Sequence, residues 1–358
     1  MKVSIIGLYP PPFGGVSVHI KRLRLALQQQ GVNVSVLAQP NSESGDKRVF
    51  PTHMGPAWYI NQLLTSDDIL FHYHASGIHV RKSIFLSVLE RFGKPVILTL
   101  HSFRNEPVPT ILNHFYLIAL RSFTHIICVG SDIRKQAIQL GVDPLKISII
   151  PSYLRPVLND HDRQQISPAV NHFLNSHWPV LTANAFRLNF FNGEDLYGLD
   201  MCVELCRNLI RDYPRMGFVF ALPGIGNEEY YFLIRQRISE YGLKDHFCFS
   251  LKPTEYWPII ERSALFVRPT NTDSYGVSVA EAIDLGVPAI ASAVCNRPQG
   301  TILFNSRNLN SLIKEVRLVL GNLDEHKRRL VNDRTDQKDT IDQIMTVYRY
   351  VLNSKGKK

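Results

Sequence analysis

Short apolar strands alternate with helical stretches along this chain, and the alternation is interrupted once. The first run of strands is Val3–Ile6, Val34–Ala38, Ile69–Tyr73, Val96–Leu100, His125–Val129 and Ile147–Ile150. Helical patterns over Ser17–Gln30, Ala57–Leu64, Arg81–Arg91, Pro109–Arg121 and Asp132–Leu140 lie between them. From Pro151 to Ser176 the pattern gives way to scattered prolines and the polar run Asn159–Gln165, which reads as a linker. Strands then resume at Val180–Ala183, Gly217–Leu222, Phe247–Ser250, Leu265–Val267, Ala289–Ser292 and Thr301–Phe304. Between them fall helices at Leu199–Tyr213, Glu228–Tyr241 and Trp257–Arg262, and one that ends at Leu285. Parallel strands need a crossover between them, and a helix supplies it, so the alternation implies two doubly wound parallel sheets. The expected fold class is α/β, with Rossmann-like domains at 1–165 and 166–335. A chain of 358 residues is long enough for two cores. In such sheets ligands bind beyond the carboxyl ends of the strands, and the groove between two such halves is the expected site. The amphipathic stretch Asp339–Leu352 reads as a last helix, at 336–354.

One strand end carries more than packing. The run from Leu265 to Glu281 reads as a buried strand, a polar loop and a helix, with Asp273 in the loop, Glu281 in the helix and seven residues between them. The entry to that helix is Ser274-Tyr275-Gly276-Val277. Its first backbone N–H groups have no helical partners and carry positive partial charge, which makes an anion site. An acid in the loop can hold a sugar hydroxyl, and an acid inside the helix can accept from two hydroxyls of a ribose. The pair suits a nucleotide-sugar, although a strand, a loop and an amphipathic helix with two acids also occur without function.

Other loops lie at equivalent places. Gly14-Gly15 follows the first strand, where glycines let backbone N–H groups approach a phosphate; a plain tight turn explains them as well. Leu222-Pro223-Gly224-Ile225-Gly226-Asn227 is a second such loop. The fingerprint G-x-G-x-x-G is absent, which disfavours an oxidoreductase, and the P-loop is absent too. His74 and His101 stand at strand ends, a position where a lone histidine is usually structural. Gly31 is placed to end the first helix, and Ser131 to cap the one beginning at Asp132.

Formal charge is +9, and it is uneven: residues 1–165 hold 17 Lys+Arg against 10 Asp+Glu. A basic first half can attract anionic lipid or a pyrophosphate-bearing acceptor, or simply keep the surface soluble. The first helix carries Lys21, Arg22 and Arg24, a basic face for a membrane surface or for solvent. Nucleic acid is disfavoured, because no recognised module and no basic run with interleaved aromatics occurs. The five cysteines form no C-x-x-C pair; Cys202 and Cys206 share a core-facing helix face, and no metal site is expected. No apolar run reaches the roughly 18 residues that span a bilayer. Met1–Gly7 reads as a strand instead of a signal peptide, so the expected place is the cytoplasm, with at most peripheral contact at the inner membrane face.

The stretch from Phe266 to Pro288 resembles the E-x7-E signature of retaining glycosyltransferases of family 4, which have the GT-B fold of two Rossmann-like domains facing each other across a cleft. The family text is Pro-Ser, then Glu, two residues, Gly, four residues, Glu-Ala and Gly-Val-Pro. This chain has Pro269-Thr270, Asp273, Gly276, Glu281-Ala282 and Gly286-Val287-Pro288. The resemblance runs in order along nearly the whole chain. Gly14-Gly15 resembles the family's N-terminal loop, and Thr99-Leu100-His101 the position whose histidine faces the donor sugar. Arg187 matches an arginine that neutralises the departing pyrophosphate, and Gly224 lies in the next glycine loop. Three departures stand out. Asp273 is one methylene shorter than the family's Glu; Tyr197, ahead of Gly198, replaces a lysine; and Cys295–Thr301 is shorter than the family's segment and lacks its acid.

The resemblance implies a metal-independent, retaining transfer with no cofactor beyond the nucleotide-sugar donor. Gly14, Gly15, Arg187, Tyr197, Gly224, Asp273, Ser274, Tyr275, Gly276, Val277 and Glu281 would hold that donor. Asp273 takes the sugar, Glu281 the ribose and His101 the sugar's far side, ahead of His72, His74 and His79; Arg187 takes the diphosphate. Arg268, Arg297 or Lys252 would replace the lost lysine. The acceptor is a hydroxyl of a glycan or lipid-linked oligosaccharide, in surface-polysaccharide or lipopolysaccharide assembly, and the last helix crosses back to the first domain. The rivals are a nucleotide-sugar epimerase of the same shape and a non-catalytic nucleotide-sugar-binding partner, for which Tyr197 is the main argument.

Overall fold

Strand β1 (Lys2–Gly7) is buried from Val3 onward, as a strand must be when helices cover both faces of its sheet. The structure is a computed structural model and describes residues 1–11, 13–38, 48–51, 61, 63, 65, 67–77, 80–103, 110–332 and 340–355. The helix expected over Ala57–Leu64 falls largely outside the described residues, and His79 falls outside them too. The chain forms two units. One runs to Leu154 and includes the helix Thr340–Lys355; the other begins at Arg155.

In the first unit, helix α1 (Gly15–Gln29) leads to β2 (Asn33–Ala38) and β3 (Val49–Pro51). Then follow β4 (Leu70–Ser76), α2 (Val80–Leu89), β5 (Val96–Ser102), α3 (Thr110–Ser122), β6 (His125–Cys128), α4 (Ser131–Gln139) and β7 (Ile147–Ile149). All seven strands are parallel, in the order β3-β2-β1-β4-β5-β6-β7. The order reverses between β1 and β4. Loops leaving those two strands diverge to opposite sides there, which opens a crevice at the carboxyl edge.

Helix α1 corrects one expectation. Arg22 and Arg24 do not form a basic face for membrane or solvent: they are 5% and 4% exposed. Arg22 Nη1 donates to Leu154 O at 3.2 Å, and Arg24 Nη1 to the Tyr9 hydroxyl oxygen at 2.9 Å. Long cationic side chains are buried when fixed oxygens meet their N–H groups, and charge counting along a helix does not see those oxygens. A second correction is at α4, which begins at Ser131 with Gly130 as its N-cap, so Ser131 is its first residue and not its cap.

The stretch read as a linker contains two helices, α5 (Asp160–Gln164) and α6 (Pro168–Ser176). Asn159 caps the first by accepting from the Asp162 N–H at 2.8 Å; Ser167 caps the second, with Pro168 at its first position. The residues that looked like loop composition are helix-start chemistry. Val170 and Leu174 of α6 are buried with Val180, Val219 and Ile259.

Beyond α6 come β8 (Val180–Asn184) and a hairpin of β9 (Phe190–Phe191) and β10 (Glu194–Asp195). The hairpin was not expected, but its signal is present: Asn192 and Gly193 both take positive φ, the two-residue turn that Asn-Gly favours. The unit continues with α7 (Leu199–Leu209), β11 (Gly217–Ala221), α8 (Glu228–Glu240), β12 (Phe247–Ser250), α9 (Trp257–Glu261) and β13 (Leu265–Arg268). It ends with α10 (Val277–Asp284), β14 (Ala289–Ser292), β15 (Ile302–Phe304), α11 (Leu309–Gly321) and α12 (Leu323–Asn332). Six of these strands form a parallel sheet, β12-β11-β8-β13-β14-β15, whose order reverses between β8 and β13. Among the described residues no helix is long and apolar enough to cross a membrane, and all five cysteines are free.

The last helix, α13 (Thr340–Lys355), completes the first unit. It buries Ile341, Ile344, Met345, Val347, Tyr348 and Val351 with Val3, Ile5, Val34 and Ile97. The Tyr348 hydroxyl lies 2.6 Å from His72 Nδ1, and His72 Nε2 lies 2.7 Å from Thr99 Oγ1. One fully buried imidazole therefore ties β4, β5 and α13 together. Replacing Tyr348→Phe leaves His72 Nδ1 without a partner, so urea unfolding is expected to show about 1–3 kcal/mol less stability with an unchanged slope.

Candidate functional site

Strands β8 and β13 are neighbours, with Leu265 opposite Leu181 and Phe266 opposite Thr182. The segments that leave them, Asn184–Leu188 and Arg268–Gly276, therefore emerge side by side where the strand order reverses. Arg268 ties the two: its Nη1 donates to Asn184 O at 3.0 Å and to Asn184 Oδ1 at 3.2 Å.

Asp273 stands between two arginines. Its Oδ2 accepts from Arg268 Nε at 3.0 Å and from Arg297 Nη1 at 2.8 Å, and its Oδ1 accepts from the Ser274 N–H at 3.0 Å. Arg297 also donates to Ser292 O at 3.1 Å and to Thr270 Oγ1 at 3.0 Å. Burial alone would raise the Asp273 pKa, but the Arg268 and Arg297 guanidinium groups outweigh it and hold the carboxyl at about 2. The carboxylate expected to take the donor sugar is thus already engaged by two cations. Gly276 is the N-cap of α10 at φ +89; a Cβ there would stand 2.7 Å from Arg297 Nη1, so the turn needs glycine both for its conformation and for room. Glu281, one turn into α10, is 3% exposed.

Tyr197 lies under the same arginine, with its ring centroid 5.2 Å from Arg268 Cζ. Of the three side chains named as replacements for a lysine, Arg268 is the one beside Tyr197. Arg297 is spent on Asp273, Ser292 and Thr270, and Lys252 donates to Gln165 Oε1 at 2.9 Å. Arg187 is exposed, and among the described residues no acceptor meets its guanidinium. Its backbone is fixed: Leu188 N–H donates to Ile225 O at 2.9 Å, and a Cβ on Gly226 would be 2.4 Å from Leu188 O. The Gly224 loop is thereby pressed against the segment that carries Arg187.

In the first unit, Gly14 is the N-cap of α1, and Gly14 N–H donates to Ser17 Oγ at 2.9 Å. Gly15 opens that helix, and His19 lies one turn in. His19, His74 and His101 converge, with ring centroids 5.2, 5.0 and 5.5 Å apart for the pairs 19–74, 19–101 and 74–101. His19 Nδ1 lies 2.6 Å from Ser152 O; a carbonyl only accepts, so Nδ1 carries the proton. His74 Nδ1 is 3.2 Å from His101 Nε2. Burial is the main force on each ring: it lowers His19 to about 4 and His72 to about 3, and pushes His74 and His101 well below the ordinary 6.5. The four rings are neutral at pH 7. His19 was not among the expected site residues. It reads as one more polar residue on a helix, and only the shared carboxyl edge of β4 and β5 brings it beside the other two.

Two predictions follow from these charges. The unfolded chain protonates its histidines near pH 6.5 and the folded chain does not, so the unfolded state binds more protons below that pH and stability falls with acidification. The urea midpoint is expected to drop between pH 7 and pH 5, and His74→Gln is expected to flatten that slope. Asp273 acts in a separate window. Its depressed pKa contributes about 2 kcal/mol above pH 4, lost as pH falls toward 2. Asp273→Asn is expected to cost about that much at pH 7, with the gap from wild type closing in acid.

Two family models match the chain. Residues 13–153 match Glycosyltransferase Family 4, and residues 194–331 match Glycosyl transferases group 1. Among curated proteins, the chain is 21% identical over 192 residues to the phosphatidylinositol N-acetylglucosaminyltransferase gpi3 subunit of Schizosaccharomyces pombe. That match covers 53% of the chain and 38% of the subunit, well under half the relative's length. The solved structure of Anabaena Alr3699/HepE in complex with UDP and glucose is similar at 12% identity and a TM-score of 0.69, over 99% of this chain and 100% of that one. A glycosyltransferase from Rickettsia africae ESF-5 is similar at 13% identity and a TM-score of 0.73, over 98% and 99%. At these identities the likeness to solved structures speaks to the fold.

Proposed function

The chain belongs to the family 4 glycosyltransferases of the GT-B fold, and on that premise we propose that it moves a sugar, with retention at the anomeric carbon, from a nucleotide-sugar to a hydroxyl of a glycan or lipid-linked oligosaccharide. The observation that carries this reading is an uncommitted guanidinium, Arg187, on the edge where the sheet order reverses, with Arg268 and the N-terminus of α10 at the ends of the neighbouring strands. A leaving diphosphate needs positive charge held ready, and fixed donors in a partly buried site are more effective than water. That HepE was solved with UDP and glucose supports the donor class.

In this reading the bond between the anomeric carbon and the diphosphate breaks while the acceptor oxygen bonds to the same face. The departing phosphate oxygen takes the acceptor's proton. Arg187 and the α10 N-terminus bind the diphosphate, with the Gly224 loop beside Arg187 offering backbone N–H groups. Tyr197 and Arg268 together stand in for a lysine. Asp273 keeps one lone pair on Oδ1 for a sugar hydroxyl, since its described partners use the others. Glu281 accepts from the ribose. Protein cations hold the diphosphate, with no cofactor beyond the donor. The uneven charge of residues 1–165 supports work at the cytoplasmic face of an anionic membrane, on surface-polysaccharide or lipopolysaccharide precursors.

A thermal-shift screen over nucleotide-sugars identifies the donor, and NMR of the product reads its configuration. Glu281→Ala is expected to weaken nucleotide binding. Arg187→Ala is expected to lower kcat by about 10²–10³ with a smaller change in KM. Conversion of donor with no acceptor present would make the protein an epimerase, and tight donor binding without turnover would make it a binding partner; either result ends the transfer reading.

A further inference from the structure

The histidine trio of the first unit has the makings of a ligand set. One ring nitrogen from each of His19, His74 and His101 lies within 4.8 Å of the other two. The 3.2 Å between His74 Nδ1 and His101 Nε2 is close to the roughly 3.3 Å edge of a tetrahedron whose nitrogens stand about 2.0–2.1 Å from a metal. His19 gives its Nδ1 proton to Ser152 O, which leaves its Nε2 lone pair uncommitted. An imidazole that donates one nitrogen to a carbonyl and offers the other is the usual second partner arrangement of a metal-bound histidine. His74 Nε2 is buried and meets no hydrogen-bond partner among the described residues, so the ring proton displaced from Nδ1 would move there at a cost that lowers the affinity.

The chemistry of the set narrows the ion. Neutral imidazoles are the binding form, and burial keeps these rings neutral. Because each ring is already neutral, an ion can replace the proton between His74 and His101 by a tautomer shift alone. The set holds nitrogens and no carboxylate, which disfavours the oxygen-seeking Mg²⁺ and Ca²⁺ and suits Zn²⁺, Co²⁺, Ni²⁺ or Cu²⁺. His72, its ring centroid 4.2 Å from that of His74, is not a fourth ligand, since Tyr348 and Thr99 occupy both its nitrogens. Arg22 adds a repulsive charge to His19, so the affinity falls below that of a charged cysteine site.

We propose that His19, His74 and His101 bind one divalent transition-metal ion through three imidazole nitrogens, with a fourth position open on the side of His101, the most exposed of the three at 8%. The site departs from the expectation that the chain holds no metal. It shares His101 with the expected sugar contact, but its test is separate, because metal binding needs neither donor nor acceptor.

The test is a Co²⁺ titration of the full-length protein, freed of metal, followed by visible absorption and calorimetry. The expected result is saturable 1:1 uptake with the intense visible bands of tetrahedral cobalt. His19→Ala and His74→Ala are expected to weaken it by more than about 100-fold. His125→Ala, at a buried histidine bonded instead to Ser148 Oγ, is expected to bind as wild type does. If the alanine variants lose their fold by circular dichroism, His74→Cys decides. A thiolate-to-cobalt band in the near ultraviolet supports the site, and its absence overturns it. No saturable uptake by wild type, or wild-type uptake by folded His19→Ala and His74→Ala, also overturns it.

Discussion

A carboxylate between two guanidinium groups sets the shape of the loop from β13 to α10. Burial alone would push the Asp273 carboxyl toward its neutral form, and Arg268 and Arg297 keep it ionised. Arg268 then reaches across to Asn184, so the same ion cluster fixes the exit from β8. Arg297 reaches back to Ser292 at the end of β14. Three neighbouring strand ends are thereby locked around one anion. Breaking a desolvated ion pair is costly, so the cluster chooses one arrangement among several: a loop that misplaces any member leaves a charge unpaired. The Tyr197 ring under Arg268 completes the enclosure.

The two units use their topology alike. Each sheet reverses its strand order once, and in each the unusual polar groups gather at or beside that reversal: the arginine–aspartate cluster beyond β8 and β13, and the histidines on the helix after β1 and at the carboxyl ends of β4 and β5. The second holds net positive charge, and the first holds neutral nitrogens kept neutral by burial. An anion suits the one; hydroxyls or a soft cation suit the other.

The strand–helix rhythm and the two parallel sheets could be read from the sequence because strands buried on both faces must be apolar throughout, and few other elements are. Glu281 and Gly276 could be placed for the same reason: their spacing from a buried strand fixes where on the helix they fall. Three things could not be read this way. Asn159 and Ser167 look like loop residues until the helices they cap are seen. Arg22 and Arg24 look like surface charge until Leu154 O and the Tyr9 hydroxyl are found beside them. His19 gains meaning only through Ser152, His74 and His101, all distant in the chain. For the arginines and His19 the deciding partner is a tertiary neighbour, and local pattern carries no information about it; for Asn159 and Ser167 the capped N–H lies only three residues on, in helices too short to show their period. The Asn192-Gly193 turn is different: its signal was local, and a two-residue strand on either side was too short to register.

Helix α13 has a consequence for how the molecule is made. The core around β1 and β2 is left open on one side until that helix arrives, and the helix is translated only after the whole second unit. The unit that begins first is therefore finished last. While the ribosome works through the intervening segment, Val3, Ile5 and Val34 lack their cover, and the nascent chain carries an adhesive apolar face through most of its synthesis. An apolar face left uncovered for that long is open to non-native contacts until Tyr348 docks.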